Sequence, residues 1–399
     1  MNERRLTVVH FTSSRERGGA EEHMLSLALA LDRARFVPVI ACTPELAERI
    51  SSDFDADSEL VRVPLRGPRD FAAVPRLALL FRQLGADVVH SHLFCSSLLG
   101  SPAARLARVR AAIETPHVAE GWRRGWRARF WPDRLAGRTV DAFIAVSEAN
   151  ARYLTQIKHL PRSKVRVIRN GIALERFSSP GRPPRELRGE LGFADSDPVL
   201  AVVARLEPQK GHSVLLEALA LVREPLPAVR LVVVGEGSLR GTLEEQARAL
   251  GLGKAVRFVG HQKRVADWLA LADVVVLPSF YEGLPLAALE AMAGERAVVA
   301  TAVDGTPEAV RDGETGLTVP PGDAAALARA IFRLVRDPSL AQKLARAGRQ
   351  AVKREFTIER QARETQLLYR EICGGRAEPR HISGVVPSSA SAGWEGKRP

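Results

Sequence analysis

The sequence predicts an α/β protein built from two doubly wound parallel sheets. Three observations carry that prediction. Short apolar runs without polar alternation recur, among them Leu6 to Phe11, Val199 to Val203 and Ala272 to Leu277; such runs suit strands covered on both faces. Each leads through a polar or glycine-bearing loop into a helix-forming segment, the alternation that makes a parallel sheet. The alternation restarts after 178–185, SSPGRPPR, a Pro/Gly/Ser-rich stretch that reads as a linker. At 399 residues the chain exceeds one ordinary core and suffices for two.

In the first half, Leu6 to Phe11 is a strand, Thr12 to Gly19 a polar loop, and Ala20 to Leu31 a helix. The paired Gly18-Gly19 before a helix N-terminus lets backbone approach a phosphate or sugar closely, or marks only a tight turn. Val37 to Cys42 and Leu60 to Pro64 are further strands, and Phe71 to Leu84 a helix. Asp87 to His90 runs as a buried strand into Ser91-His92, and Ala111 to Thr115 ends in Pro116-His117. His90, His92 and His117 therefore fall at strand carboxyl ends, where doubly wound sheets collect ligands. Their separations do not resemble a recognised metal-ligand set. Ala142 to Val146 and Val165 to Ile172 complete this half.

Between them lies 121–138, GWRRGWRARFWPDRLAGR, with six Arg and three of the chain's five Trp. On a helix Trp122, Trp126 and Phe130 form one stripe flanked by Arg. That suits an interfacial helix on an anionic membrane; a helix with its aromatics packed inward reads equally well, and Gly121 and Gly125 weaken any helix.

In the second half, Val199 to Val203 precedes the loop Ala204-Arg205-Leu206-Glu207-Pro208-Gln209-Lys210-Gly211 and a helix from Ser213. Arg205 and Lys210 are two cations on one loop, able to converge on a diphosphate. Leu231 to Val234 leads to Gly235-Glu236-Gly237, and Val256 to Gly260 is another strand. The central segment reads LPSFYEGLPLAALE over 277–290. Pro278 stops a buried strand, and Pro285 suits the first turn of a helix over Leu286 to Met292. The free N–H groups of that turn, near Leu286 and Ala287, suit an anion. Glu282 stands in the loop with Gly283 and Leu284, and Glu290 lies roughly two helical turns along. Two carboxylates at separate depths accept from two sets of hydroxyls. Ala297 to Thr301, the turn 312–316, and helices over Ala324 to Arg336 and Phe356 to Ile372 follow; 374–399 has no periodicity and reads as a disordered tail.

Composition narrows the class. Hydrophobic content of 46% and charged content of 26% suit a soluble globular protein. No apolar run approaches about eighteen residues, so no membrane-spanning helix is expected. The N-terminal MNERRLTVVHF returns to charge too soon for a signal peptide, and three cysteines without metal spacing favour a reducing cytoplasm. A net charge of +12 suits nucleic acid, an anionic leaflet or a diphosphate, but no nucleic-acid-binding module is present to specify the first.

Glu282 and Glu290, set in PS-x-x-EG-x-P and E-A-M-A, resemble the E-x7-E signature of retaining glycosyltransferases of the GT-B fold, in particular family 4. The GGAE of Gly18-Gly19, the T-x-H of His117, the R-L-x-x-x-K-G of Arg205 and Lys210, and the V-x-F-x-G ending at Gly260 resemble motifs of the same family, from about residue 6 to 372. Ala204 stands where the family usually has Gly, and Gly294 to Ala297 and Asp304-Gly305 depart from its C-G-x-P and G-G-x-x-E. The resemblance implies two facing Rossmann-like domains with a cleft: 1–172 for the acceptor, a linker 173–190, 191–355 for a nucleotide-sugar donor, and a closing helix 356–373 that returns to the first domain. It implies glycosyl transfer with retention, without metal or other cofactor. His117 and Glu282 would meet the donor sugar, and Glu290 the ribose. Arg205, Lys210 and the N–H groups near Leu286 and Ala287 would take the leaving diphosphate, while Gly18, Gly19, Gly260, Gly283 and Leu284 line the donor. A glycan or lipid-linked acceptor in cell-surface polysaccharide or glycolipid synthesis is the expected partner. A non-catalytic nucleotide-sugar-binding or scaffold protein, a sugar-phosphate synthase and an epimerase are the alternatives.

Overall fold

The computed structural model describes residues 4–51, 59–67, 70–117 and 131–374. The first sheet has strands β1 (Leu6–Phe11), β2 (Phe36–Cys42), β3 (Glu59–Arg62), β4 (Val88–His92), β5 (Ala111–Thr115), β6 (Ala142–Ala145) and β7 (Val165–Val167). Their order is β3-β2-β1-β4-β5-β6-β7, and every pairing is parallel. The second has β8 (Val199–Val203), β9 (Arg230–Val234), β10 (Val256–Gly260), β11 (Val274–Leu277), β12 (Ala297–Thr301) and β13 (Leu317–Val319). It is again all parallel, in the order β10-β9-β8-β11-β12-β13. The doubly wound α/β architecture is therefore as expected from the sequence. In each sheet the order reverses between two neighbours, β1 and β4 in one, β8 and β11 in the other. Loops leaving the carboxyl ends at such a reversal part to opposite faces and open a crevice.

The strands are buried on both faces, which their apolar runs required: Val274–Leu277 is sealed between helices. The helix Ala324–Arg336 shows the complementary pattern, an apolar stripe with Asp323 capping its N-terminus through Ala326 N at 2.8 Å. Some segments differ from the sequence reading. The stretch 178–185 is the junction of two helices, Glu175–Ser178 and Pro184–Leu191, because Pro184 sits at a helix start, where it is tolerated. The strand expected over Val165 to Ile172 stops at Val167, and Ile172 instead bridges Thr357. Helices Phe94–Ala107, with Pro102 inside it, and Pro338–Glu355 were not anticipated.

The chain crosses between the sheets twice, side by side. Ile172 N donates to Phe356 O at 3.0 Å and Ile358 N to Ile172 O at 3.1 Å. The helix Ile358–Gly374 then packs Leu368, Tyr369 and Cys373 into the core of the first sheet with Val8, Val88 and Ile113. Among the described residues no helix is long and apolar enough to cross a membrane. The Trp122–Trp126–Phe130 stripe and 375–399 lie outside the described residues.

Candidate active site

The two sheets meet at their carboxyl ends. The loop after β11 carries Ser279, Glu282, Gly283 and Leu284 against the chain after β5, where His117 sits at φ 37°, a left-handed conformation that strains a bulky residue. A Cβ at Gly283 would lie 1.8 Å from the His117 carbonyl oxygen, so only glycine allows this approach. Ser147 Oγ donates to Gly283 O at 3.1 Å, and Asn170 Nδ2 to Leu284 O at 3.0 Å. The Leu284 side chain is core; its contribution at the cleft is backbone.

Glu282 is nearly buried and held on three sides. Its Oε1 accepts from Lys210 Nζ at 2.5 Å and from Ser279 Oγ at 2.7 Å, and its N–H donates to Asp304 Oδ2 at 2.9 Å. The fold thus joins two residues that the sequence reading assigned to separate groups of one ligand. Lys210 reaches Glu282 because Gly211, at φ 65°, turns the chain tightly: a Cβ there would lie 2.1 Å from Pro278 O. Arg205 leaves the end of β8 exposed and crosses toward the first domain. Its Cδ and Nε lie 3.8 Å from where a Gly18 Cβ would be, and a Gly19 Cβ would lie 3.9 Å from Leu286 Cδ1. Gly18-Gly19 is therefore brought face to face with Arg205 and with the first turn of helix Leu286–Ala293. That turn has no side-chain cap, which leaves the N–H groups of Leu286 and Ala287 for a ligand.

Glu290 lines a small cleft with Glu22, His23, Arg176 and Leu286. Burial pushes its carboxyl up to about 7; Glu22 adds repulsion and Arg176 opposes it. Glu21, behind Gly18, is likewise raised by burial, against hydrogen bonds from Ser14 and the Gly18 backbone and the Arg205 charge. Gly260, at φ 73°, lies across β9 and β8 from this cluster, with its carbonyl accepting from Gly235 N at 2.9 Å.

The histidines form the least expected feature. His10, His23, His90, His92 and His117 are all buried and stack within one cluster. Separation along the chain was the wrong criterion: His10 and His90 are register partners in β1 and β4, and the nitrogens of His10, His90 and His92, and of His23, His92 and His117, approach within 4.8 Å. The proton arrangement speaks against a metal in either group. His90 already faces Tyr369 OH and Thr115 Oγ1, each at 2.7 Å. Gly171 N donates to Gln361 Oε1 at 2.7 Å, which fixes the amide and turns Gln361 Nε2 to His23 Nε2. His23 Nε2 must then accept, so its proton is on Nδ1, a donor and not a ligand. Burial lowers the His10 and His23 pKa to about 3 and holds His90, His92 and His117 well below the usual range, with repulsion from neighbouring rings adding to it. All five are neutral at pH 7.

Sequence reasoning passed over His10, His23 and Arg176, and noted Asp304 only as a departure from the family motif. His23 carried a signal, since it lies one helical turn beyond Gly19 and so on the same face. His10, in the middle of an apolar strand, carried none.

The chain matches the family described as Glycosyltransferase Family 4 over residues 17–176 and that described as Glycosyl transferases group 1 over residues 184–351. It is 32% identical to a protein of Bacillus subtilis (strain 168) provisionally named glycosyltransferase EpsD, across 78% of this chain and 84% of that one. It is also 32% identical to a glycogen synthase of Mycobacterium tuberculosis, across 90% and 92%. The crystal structure of Anabaena Alr3699/HepE in complex with UDP and glucose superposes with a TM-score of 0.80 at 21% identity, covering 92% of this chain and all of that one; at that identity it speaks to the fold alone. The two facing parallel sheets, the two family matches and 32% identity to relatives across most of the chain lead to one assignment: the chain is a group 1 glycosyltransferase of family 4 with the GT-B fold.

Proposed function

We propose that the protein transfers a sugar, with retention at the anomeric carbon, from a nucleoside diphosphate sugar to a glycan or lipid-linked acceptor in cell-surface polysaccharide or glycolipid synthesis. The observation that supports this best is that Arg205 and the uncapped turn at Leu286 and Ala287 face the Gly18-Gly19 loop, with Lys210 on the loop of Arg205 and paired to Glu282. Cations and aligned N–H groups in a closed cleft stabilise the departing diphosphate most where its charge develops. They supply the role of a divalent cation, so transfer proceeds without one. Donor binding draws Lys210 toward phosphate and leaves Glu282 for the sugar hydroxyls. Glu290 accepts from the ribose, and His117 meets the sugar beside the acceptor. The leaving phosphate takes the acceptor's proton as the new glycosidic bond forms on the same face.

Incubating purified protein with UDP-, GDP- and ADP-sugars in excess EDTA tests the reading; UDP-sugars come first because the HepE structure holds UDP and glucose. Release of nucleoside diphosphate, with the α or β configuration of the donor kept in the product, is expected. Thermal stabilisation by a donor with no release would mark a binding protein. Loss of activity in EDTA that added metal restores would refute metal independence.

Donor affinity should depend on pH through Glu290. Its carboxyl near 7 in the free protein must ionise to accept from two hydroxyls, so binding lowers its pKa. Affinity for a UDP-sugar is therefore full above pH 7 and weakens by up to about tenfold per unit below it. Titration calorimetry at pH 8 and 6 reads this, and Glu290→Gln should flatten the profile; a wild-type profile already flat would remove Glu290 from the ribose. A lipid-linked acceptor rests on the Arg/Trp segment 121–138. Sedimentation at low salt should show the protein pelleting with anionic and not neutral vesicles, and indifference to both would favour a soluble acceptor.

A further inference from the structure

The cleft histidine is wired into the sheet beneath it. His10 Nδ1 lies 3.1 Å from His92 Nε2, and His92 Nδ1 lies 3.2 Å from His117 Nε2. The three rings come from β1, the end of β4 and the turn after β5. Each contact needs one proton, and a neutral imidazole carries one. Two arrangements satisfy both contacts. In the first, His10 Nδ1–H donates to His92 Nε2, His92 Nδ1–H donates to His117 Nε2, and His117 keeps its proton on Nδ1. In the second every bond is reversed, so that His117 donates inward from Nε2 and its Nδ1 is a bare acceptor.

The buried end of the chain chooses between them. His10 Nε2 is sealed from solvent and has no partner. In the second arrangement that atom carries the proton, a second orphaned buried N–H in a cluster where the Gln361 contact already leaves His23 Nδ1–H without a partner; in the first it is an unused lone pair, the lesser cost. A doubly protonated His92 would force the second outcome at His10, and the cluster opposes it, because four other imidazoles crowd His92 in a buried space. His117 Nδ1 is not among the sealed, partnerless atoms and bonds to no described residue, so it remains open to a ligand.

We propose that His10 and His92 are positioning residues that polarise His117, so that it meets the donor as a neutral Nδ1–H hydrogen-bond donor and not as a base. The inference rests on the assignment of His117 to the donor sugar given above, and adds its protonation and direction. Such a ring donates to a sugar hydroxyl oxygen or a phosphate oxygen of the donor. It does not take the acceptor's proton, which goes to the leaving phosphate. The arrangement also explains the strained backbone at His117: the ring is held by His92 while the carbonyl is pressed against Gly283.

The test is the tautomer itself, read on the unliganded full chain labelled with 15N-histidine. Long-range 1H–15N correlation separates Nδ1–H from Nε2–H rings, and loss of one ring's signals in His117→Gln assigns it. His117 is expected as Nδ1–H and His92 as Nδ1–H. Replacing His10 by Leu removes the donor to His92 Nε2 and leaves that atom against an apolar group, where a bare lone pair still costs less than an orphaned N–H, so His117 should stay Nδ1–H without its polarising partner. The replacement should lower kcat for transfer about tenfold or more, the worth of one hydrogen bond, with KM for the donor little changed. His10→Asn, which keeps an N–H donor there, should retain both the tautomer and most of kcat. An Nε2–H His117 in the wild type, or stoichiometric zinc bound to the cluster in the purified protein, overturns the proposal. The spectrum is independent of turnover. An Nδ1–H ring in a protein that transfers nothing leaves the relay standing and refutes the assigned reaction, and an Nε2–H ring in an active enzyme does the reverse.

Discussion

Arg205→Ala and Lys210→Ala are each expected to lower kcat by about 10²-fold or more, the usual effect of removing one group that stabilises charge developing in a transition state. The two variants should differ in stability. Arg205 is exposed and no ion pair of it is present among the described residues, so its loss should leave the urea midpoint close to wild type. Lys210 pairs with Glu282 at 2.5 Å, and the Glu282 side chain is only 9% exposed. Removing the lysine leaves a nearly buried carboxylate with Ser279 alone as a side-chain partner, a defect that costs on the order of 3 kcal/mol. Lys210→Ala should therefore be both slow and less stable, and Glu282→Gln added to it should recover stability without recovering turnover. Wild-type rates in both single variants would end the assignment of this loop to the diphosphate.

Stability should fall steeply in weak acid. Five histidines are buried neutral, with folded-state pKa values at about 3 or well below the usual range, and His212 is lowered to about 4 by burial and by Lys210. Unfolded, each titrates near 6.5. Below that pH the unfolded chain takes up protons that the folded chain refuses. Stability present above pH 6.5 is then lost as pH falls, at about 1.4 kcal/mol per unit for each histidine. Glu290 and Glu21 run the other way, since burial raises them and the folded state binds their protons more tightly. Six groups against two leave a net loss of several kcal/mol between pH 7 and 5, a large share of the 5–15 kcal/mol that holds an ordinary domain. Urea midpoints at pH 7, 6 and 5 should fall steadily, and His92→Asn should make the fall shallower. Midpoints that do not change over this range would show that the rings are protonated or open to water in the folded protein.

The sequence by itself determined the architecture and most of the turns that shape the candidate cleft. Apolar strand runs such as Val274–Leu277 admit only a sheet covered on both faces, and the turn after each run is written in glycine and proline; Gly18-Gly19, Gly211 and Pro285 could be read one by one because their constraint is local backbone geometry. Glu282, Glu290, Arg205 and Lys210 were legible because the motifs around them resemble those of the family; on spacing alone they read as surface charges. Only the tertiary structure decided what these groups touch. The pairing of Lys210 with Glu282 spans 72 residues, the approach of Gly283 to His117 joins the two domains, and the link from Gln361 to His23 spans 338 residues. His10 is the extreme case: its place in a buried strand looks apolar, and its role exists only because β1 pairs in register with β4. Local periodicity records how a segment buries its own side chains. Which distant polar atoms are then sealed together, and which of them must carry the proton, follows from packing, where an unpaired buried donor is too costly to leave.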